Sequence, residues 1–400
     1  MRGSPIAIFL VFLRLGCTSF GGPIAHLGYF RAELVAKRQW LSEATFADIV
    51  ALCQFMPGPA SSQTGMAIGL LRGGPLGMIA AWLGFTLPSA LLMTGFAYAL
   101  GTIGDLSDAG WLHGLKLVAV AVVAQAVWGM GSSLAADRAR ASLAVAACLV
   151  CLAAPSTLGQ IGAILLGAAV GMAVLPRVAN PCVETAALHI RVPRWVAVTL
   201  LATFLILLFG LPWLAEASGN HAAVLADTFY RTGSLVFGGG HVVLPLLQAS
   251  VVPPGWVDPD TFLAGYGATQ AMPGPLFSFA AFLGAIEAPG PNGWIGALLA
   301  TLAIFASSFL LVGGLLPFWD TLRYRPNVRA AMRGVNAAVV GVLLAALFTP
   351  IWTGTVHTPA DFGLALVAFL LLTLWKLPPW CVVAIGAFAG WDMASMGVFG

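Results

Sequence analysis

Long apolar stretches separated by short polar segments run through the whole chain. A helix that crosses a bilayer needs about 20 mainly apolar residues, and most of these stretches are close to or above that length. The pattern therefore predicts an all-α polytopic membrane protein. The stretches fall near residues 5–30, 44–71, 74–101, 111–134, 141–155, 157–176, 195–215, 222–252, 261–287, 293–317, 330–352, 361–375 and 378–399.

The chain contains an internal repeat. An Arg-x-Gly turn followed by Phe-Gly-Gly within residues 12–23 returns at 229–240, and Gln-x-Met-Pro-Gly-Pro at 54–59 returns at 270–275. Six stretches precede the unpaired stretch at 195–215 and six follow it, so the second half starts from the opposite side of the membrane. We therefore expect two inverted-topology repeats. The predicted units are an N-terminal transmembrane repeat at 1–176, a cytoplasmic loop plus unpaired inverting helix at 177–221, and a C-terminal transmembrane repeat at 222–400.

The basic residues favour one topology. If every stretch crossed the membrane once, the basic loop at 31–43 would lie outside, against the positive-inside rule. The conflict disappears if the stretches that carry the repeated motifs are broken, re-entrant hairpins. Then 15 of the 18 Lys and Arg residues lie on the cytoplasmic side. We predict nine full crossings and four hairpins (5–30, 44–71, 222–252 and 261–287) in the inner (plasma) membrane, with the N-terminus cytoplasmic and the C-terminus outside.

Composition excludes several classes of protein. The chain is 60% hydrophobic and only 8% charged, with a net charge of +3, whereas a soluble domain has about a quarter of its residues charged. Cys148 and Cys151 are three residues apart in an apolar run, but no second pair of ligands accompanies them, so the six cysteines are interpreted as buried small hydrophobes and not as a metal or redox site. The chain also has no haem motif or dinucleotide fingerprint. We therefore expect a protein that is not an enzyme, with no cofactor, no metal site and no nucleic-acid partner. Whether it forms a homodimer is left open.

The breaks in the predicted hairpins are the candidate site. Irregular backbone at membrane depth is tolerated only where it is buried in protein or lines a wet cavity. A helix that restarts after a break presents unpaired N–H groups and a partial positive end, and glycine lets a ligand approach them. Four such tips that met near the midplane would bind a small oxyanion. The residues assigned to this site are Gly21, Gly22, Met56, Pro57, Gly58, Gly238, Gly239, Met272, Pro273 and Gly274, with packing as the alternative role for the two methionines.

Two arginines add full positive charge to this site. Arg14 and Arg231 occupy equivalent positions of the repeat, within apolar sequence. An arginine there is costly unless it finds a partner or water. We expect no acidic partner within a helical turn, so an anion ligand would serve as the partner. The alternative is that each arginine binds backbone carbonyls of its own hairpin.

Four further polar residues are candidates. Gln54 and Gln270 precede the two Met-Pro-Gly-Pro motifs, and each amide could donate to an oxyanion or satisfy a freed carbonyl. Lys116 aligns with Asn336, and the lysine is close enough to a segment end for its amine to reach the membrane surface instead. Hydroxyls and histidines also flank the breaks, although such groups more often have structural roles. They are Thr18, Ser19, Ser61, Ser62, Ser278, His26 and His241.

The repeated motifs resemble those of the chromate ion transporter family in its long, two-domain form. The resemblance covers nearly the whole chain and includes the correspondence of residues 83–89 with 302–308. It implies that the substrate is chromate, a dianion shaped like sulfate, and that transport is efflux. The residues alone indicate a small oxyanion, so a sulfate or other oxyanion carrier and an anion channel remain alternatives. Gly240 replaces the proline found at position 23 in the first copy, which leaves open which half dominates binding.

Overall fold

The computed structural model describes residues 3–103, 109–176, 192–237, 240–322 and 325–396. Within these ranges the chain is all-α. The helices are α1 (Pro5–Thr18), α2 (Gly22–Phe30), α3 (Glu43–Phe55), α4 (Ala60–Ile103), α5 (Gly110–Leu134), α6 (Arg138–Ala153), α7 (Thr157–Val174), α8 (Arg194–Ser218), α9 (His221–Leu235), α10 (Val243–Val251), α11 (Pro259–Thr269), α12 (Phe279–Ile286), α13 (Gly293–Leu315), α14 (Trp319–Leu322), α15 (Pro326–Ala346), α16 (Pro359–Thr373) and α17 (Pro379–Ser395). Short 3-10 turns precede α10, α12 and α14, and π-helical turns follow α2 and α15.

The predicted class of polytopic membrane protein is confirmed. Six helices in the described ranges are long and apolar enough to cross a membrane. They are α4, α5, α7, α8, α13 with its following turn, and α15 with its following turn. The other three predicted crossings contain α6, α16 and α17, which are 16, 15 and 17 residues long. The number of full crossings therefore stays a prediction.

The helices on either side of the predicted breaks are short and fold back on each other. The rings of Phe12 in α1 and Phe30 in α2 lie 5.5 Å apart between centroids, although a straight helix would separate these residues by about 27 Å. Phe262 in α11 and Phe279 in α12 are likewise 5.1 Å apart. Helix α1 has 14 residues and α11 has 11, so each covers only part of a hydrocarbon core that is about 30 Å thick. The chain therefore forms a hairpin at these two breaks.

Helix α4 also reverses direction. Gly74 has φ +66° and ψ −158°, which is not helical. A Cβ atom on Gly69 would lie 2.3 Å from the carbonyl oxygen of Gly77, although eight residues span about 12 Å along a straight helix. Helix α4 is therefore two antiparallel arms that meet at Gly74. Gly284 in α12 and Gly296 in α13 make the equivalent close contact in the second half.

The two halves are interlocked by exchanged helices. Helix α5 of the first half packs on α16 and α17 of the second, and α15 of the second half packs on α6 and α7 of the first. Both contacts depend on glycine, because a Cβ on Gly114 would lie 2.1 Å from the Gly386 oxygen and one on Gly334 would lie 2.0 Å from the Gly167 oxygen. Small residues let membrane helices approach this closely. The exchange is reciprocal, as expected for two copies related by a two-fold axis.

Candidate functional site

The four breaks meet at the contact between the two halves. The amide of Gly58, in the first Pro-Gly-Pro, donates to the carbonyl oxygen of Val236 at 2.6 Å. The amide of Gly274, in the second Pro-Gly-Pro, donates to the carbonyl oxygen of Ser19 at 2.9 Å. These are the same hydrogen bond made twice with the halves exchanged, because the paired positions are related by the offset of the repeat. The breaks that the sequence singles out are therefore brought together.

Each Pro-Gly-Pro requires glycine at its centre. Gly58 has φ +118° and Gly274 has φ +98°, a region that side chains rarely adopt. A Cβ on Gly58 would also lie 2.3 Å from Gln63 Nε2 and 2.9 Å from Ser308 Oγ. A Cβ on Gly274 would lie 2.8 Å from Ser89 Oγ. Each tip is thus packed against a serine on the long helix of the opposite half.

Buried hydroxyl groups join the two halves beside the tips. Ser89 Oγ on α4 lies 2.6 Å from Ser278 Oγ, in the turn that precedes α12. Gln63 Nε2 donates to the Pro57 carbonyl at 2.6 Å and to Ser308 Oγ at 3.3 Å. All of these hydroxyls are buried. The contact between the halves is therefore polar beside the tips. Burying polar groups costs more free energy than burying apolar ones unless they are hydrogen-bonded.

Several buried hydroxyls near the tips are left without a hydrogen bond. Ser19 Oγ, Ser62 Oγ, Thr86 Oγ1 and Ser307 Oγ have no partner in the described part of the chain. An unpaired buried polar group costs about 1–3 kcal/mol, so this cluster needs a water, an ion or a ligand as its hydrogen-bond partner. His26 belongs to the same region, since its Nδ1 lies 3.4 Å from Ser61 Oγ.

A polar cleft of about 240 Å³ lies next to this contact. It is lined by Arg231, Thr228, Thr232 and Leu235 of α9, by Leu246, Ala249 and Ser250 of α10, and by Thr157 of α7. Because α7 belongs to the first half, the cleft lies between the halves. Leu235 in the lining of the cleft directly precedes Val236, whose carbonyl accepts from the first tip.

Arg231 has an acidic partner, contrary to the expectation from sequence. Its Nη2 forms an ion pair with Oδ2 of Asp227, four residues earlier on α9. Asp227 lies within α9 and is buried at 6% exposure. Arg231 Nε and Asp227 Oδ1 have no hydrogen-bond partner among the described residues. The pair therefore keeps unused donor and acceptor capacity.

Arg14 has different surroundings from its repeat counterpart. It is exposed, and it forms no ion pair within the described ranges. Its backbone carbonyl accepts a hydrogen bond from Thr18 Oγ1 at 2.8 Å. At the positions equivalent to Asp227, Thr228 and Thr232, the first half has Leu10, Val11 and Leu15. The two arginines are thus equivalent in sequence but not in chemistry.

The other four polar candidates differ in their exposure and in their hydrogen-bond partners. Gln54 is exposed, whereas Gln270 is buried with its Nε2 unpaired in the described part of the chain. Lys116 Nζ pairs with Asp260 Oδ1 at 2.9 Å, at the start of α11, so its charge is compensated by the protein. Asn336 lies on α15, and its Oδ1 has no partner there either.

The remaining candidates belong to the breaks themselves. Gly21 and Gly22 have φ values of +96° and +78° and form the turn into α2. Met56 is buried and Met272 is partly buried in the apolar core, which favours the packing role for both. Pro57 and Pro273 precede the two tip glycines. Gly238 and Gly239 lie outside the described residues.

The profile of the chromate transporter family matches residues 6–172 and 223–391. The chain belongs to the chromate transporter family. The chromate transport protein of Pseudomonas aeruginosa is 29% identical over 405 residues, covering 96% of this chain and 91% of the relative. The probable chromate transport protein of Synechococcus elongatus is 27% identical over 395 residues, covering 95% and 93%. The chromate transport protein of Cupriavidus metallidurans is 25% identical over 396 residues, covering 96% and 92%. No solved structure matches the chain.

Sequence reasoning missed several polar residues of this chromate transporter family member. Ser89 and Ser308 occupy aligned positions in the two halves, and that alignment was a usable signal. Asp227 could have been found from its i, i+4 spacing to Arg231. Gln63 and Thr228 have no repeat counterpart of the same type, so duplication does not single them out. In the described ranges, no group of three or more His, Cys, Asp or Glu side chains could hold a metal ion.

Proposed function

We propose that this protein is a secondary carrier that exports chromate, or a closely similar tetrahedral oxyanion, across the bacterial inner membrane. The observation that carries the proposal is the reciprocal pair of tip contacts between the halves. The identity of the substrate is inferred from the relatives named above as chromate transport proteins. The cationic, hydroxyl-rich cleft beside the tips has the chemistry that a small dianion needs.

The tip contacts suggest how the site opens alternately. The amides of Gly58 and Gly274 are occupied by carbonyls of the opposite half, so the free donors are the amides of the helix turns that follow. If the repeats are inverted, one tip contact faces each side of the membrane. Rocking of the halves would break one contact and keep the other. A hydrogen bond contributes about 1 kcal/mol net, so the two states would stay close in energy.

Transport by the purified protein tests this function. In proteoliposomes we expect saturable uptake of radiolabelled chromate and counterflow, in which unlabelled chromate inside accelerates uptake of the labelled ion. Sulfate should compete with chromate for uptake if the site selects its substrate by charge and shape alone. Liposomes without the protein are the control. A conductance without saturation or counterflow would indicate a channel, and absence of chromate movement in either assay would refute the proposal.

Orientation is tested by cysteine accessibility. We propose that the N-terminus is cytoplasmic and that the four broken hairpins are re-entrant. In a background without native cysteines, Ala36→Cys after α2 should react with a membrane-impermeant maleimide only in inside-out vesicles. Ala288→Cys after α12 should react only in right-side-out vesicles. Both side chains are exposed alanines, so folding should be unaffected. Labelling of both positions from the same side would contradict the topology.

A further inference from the structure

We propose that the Arg231 cleft is a one-sided oxyanion site in which Asp227 is a tethered competitor for the arginine. This inference rests on the proposed function and deepens it. It assigns the cleft to a tetrahedral dianion, and it gives Asp227 the role of limiting how long that anion stays.

The donor set of the cleft fits an oxyanion. Arg231 lines it together with Thr228, Thr232, Ser250 and Thr157. The Ser250 hydroxyl donates to the Leu246 carbonyl at 2.8 Å and lies 3.4 Å from Thr157 Oγ1, so Thr228 and Thr232 are the hydroxyl donors that the cleft offers. The two α9 threonines are four residues apart and therefore share one face of the helix. The volume of about 240 Å³ has room for a five-atom oxyanion and several waters. Guanidinium and hydroxyl donors together match the acceptor-only surface of a dianion.

The ion pair with Asp227 occupies only part of the hydrogen-bonding capacity of the Arg231 guanidinium. Asp227 binds at Nη2, and Arg231 Nε is buried with no partner in the described part of the chain. The Arg231 side chain is 31% exposed and lines the cleft, so an anion in the cleft can approach the guanidinium while Asp227 remains nearby. The two negative groups then repel each other across the same cation, and the low dielectric of the surroundings strengthens this repulsion. Each therefore weakens the hold of the other.

Weak retention suits a carrier. A transport site must bind its ion well enough to take it up and weakly enough to release it. Asp227 supplies the weakening when the anion is bound, and it neutralises Arg231 when the cleft is empty. The first half cannot do the same, because Leu10, Val11 and Leu15 occupy the equivalent positions. The carrier is therefore asymmetric, because only the second half contributes an Asp, Thr and Thr set around its repeated arginine.

Equilibrium binding of radiolabelled sulfate or chromate to the full-length protein in lipid nanodiscs tests this role. We expect Asp227→Asn to bind the anion about tenfold more tightly and to slow counterflow, because release becomes limiting. The double variant Thr228→Val/Thr232→Val should bind about tenfold more weakly. The matched control is Thr199→Val on α8, where the hydroxyl is exposed and bonds only its own helix.

The outcomes separate this inference from the proposed function. Unchanged or weaker binding by folded Asp227→Asn, or wild-type affinity in the double threonine variant, would overturn the role of the cleft even if wild-type protein transports chromate. The threonine variants remove no charge, so they test the cleft if Asp227→Asn does not fold. If the wild-type protein neither binds nor transports a tetrahedral oxyanion, the proposed function itself fails.

Discussion

Arg231→Gln is expected to reduce chromate transport about 10- to 100-fold. Among the described residues that line the cleft, Arg231 is the one with a cationic side chain, and the variant removes it. A hydrogen bond to a charged group contributes about 1.5–3 kcal/mol, and each 1.4 kcal/mol is a factor of ten in affinity. The measurement is the initial rate of chromate uptake into proteoliposomes at equal protein content.

A second variant separates lost binding from lost folding. Arg231→Gln alone leaves Asp227 as an unpaired buried charge, which costs about 3–5 kcal/mol. The double variant Asp227→Asn/Arg231→Gln removes both charges, so we expect it to regain the folded yield but not the transport. Arg194→Gln, at the exposed start of α8, is the matched control and should transport normally. Wild-type transport by the double variant would show that the cleft does not bind the substrate.

Arg14→Gln gives the internal comparison. From the repeat alone, the sequence predicts the same loss of transport for both arginines. The structure gives Arg14 an exposed position, and Leu10, Val11 and Leu15 stand where α9 has Asp227, Thr228 and Thr232. We therefore expect a smaller loss for Arg14→Gln in the same uptake assay. Equal losses would favour the symmetric site expected from sequence.

Gly58→Ala and Gly274→Ala are expected to abolish most transport and to lower thermal stability. Each alanine would be forced into a left-handed conformation, which costs about 1–3 kcal/mol. Each Cβ would also push against the serine of the opposite half, at 2.9 Å from Ser308 Oγ or 2.8 Å from Ser89 Oγ. The tip could then not keep its amide bonded to the carbonyl of the other half. The measurements are the melting temperature in detergent and the rate of chromate uptake.

A glycine elsewhere in the membrane provides the control for this pair. Gly95 on α4 has ordinary helical geometry, and a Cβ there would meet no atom within 4 Å. Gly95→Ala should therefore be neutral or slightly stabilising, because alanine is the better helix former. If Gly58→Ala and Gly274→Ala behave like Gly95→Ala in both assays, the tip contacts do not couple the halves.

The repeat made the positions of the breaks predictable from sequence. Gly58 and Gly274 stand out because a break in an apolar segment is costly, and the same break occurs twice. The predicted hairpins at 5–30 and 261–287 follow from the same reasoning, since half-length helices on both sides of a break must fold back. The duplicated motifs thus predict where the backbone breaks, which composition alone does not.

The partners of individual side chains could not be predicted in the same way. The bond from Gly58 to Val236 joins residues from different halves, and its register depends on how the exchanged helices pack. Gln54 and Gln270 share a motif, yet one is exposed and the other buried, because the two halves contact different neighbours. Lys116 finds Asp260 only once α5 and α11 have packed. Equivalence in sequence therefore fixes backbone geometry better than it fixes chemistry.

A structure with selenate bound tests the central claim most directly, because selenium scattering locates a tetrahedral dianion without ambiguity. We expect one strong peak between the halves, in the space bounded by the four breaks and the Arg231 cleft, with donors from both halves within hydrogen-bond distance. A peak held by one half alone, or an anion bound away from the breaks, would contradict the account.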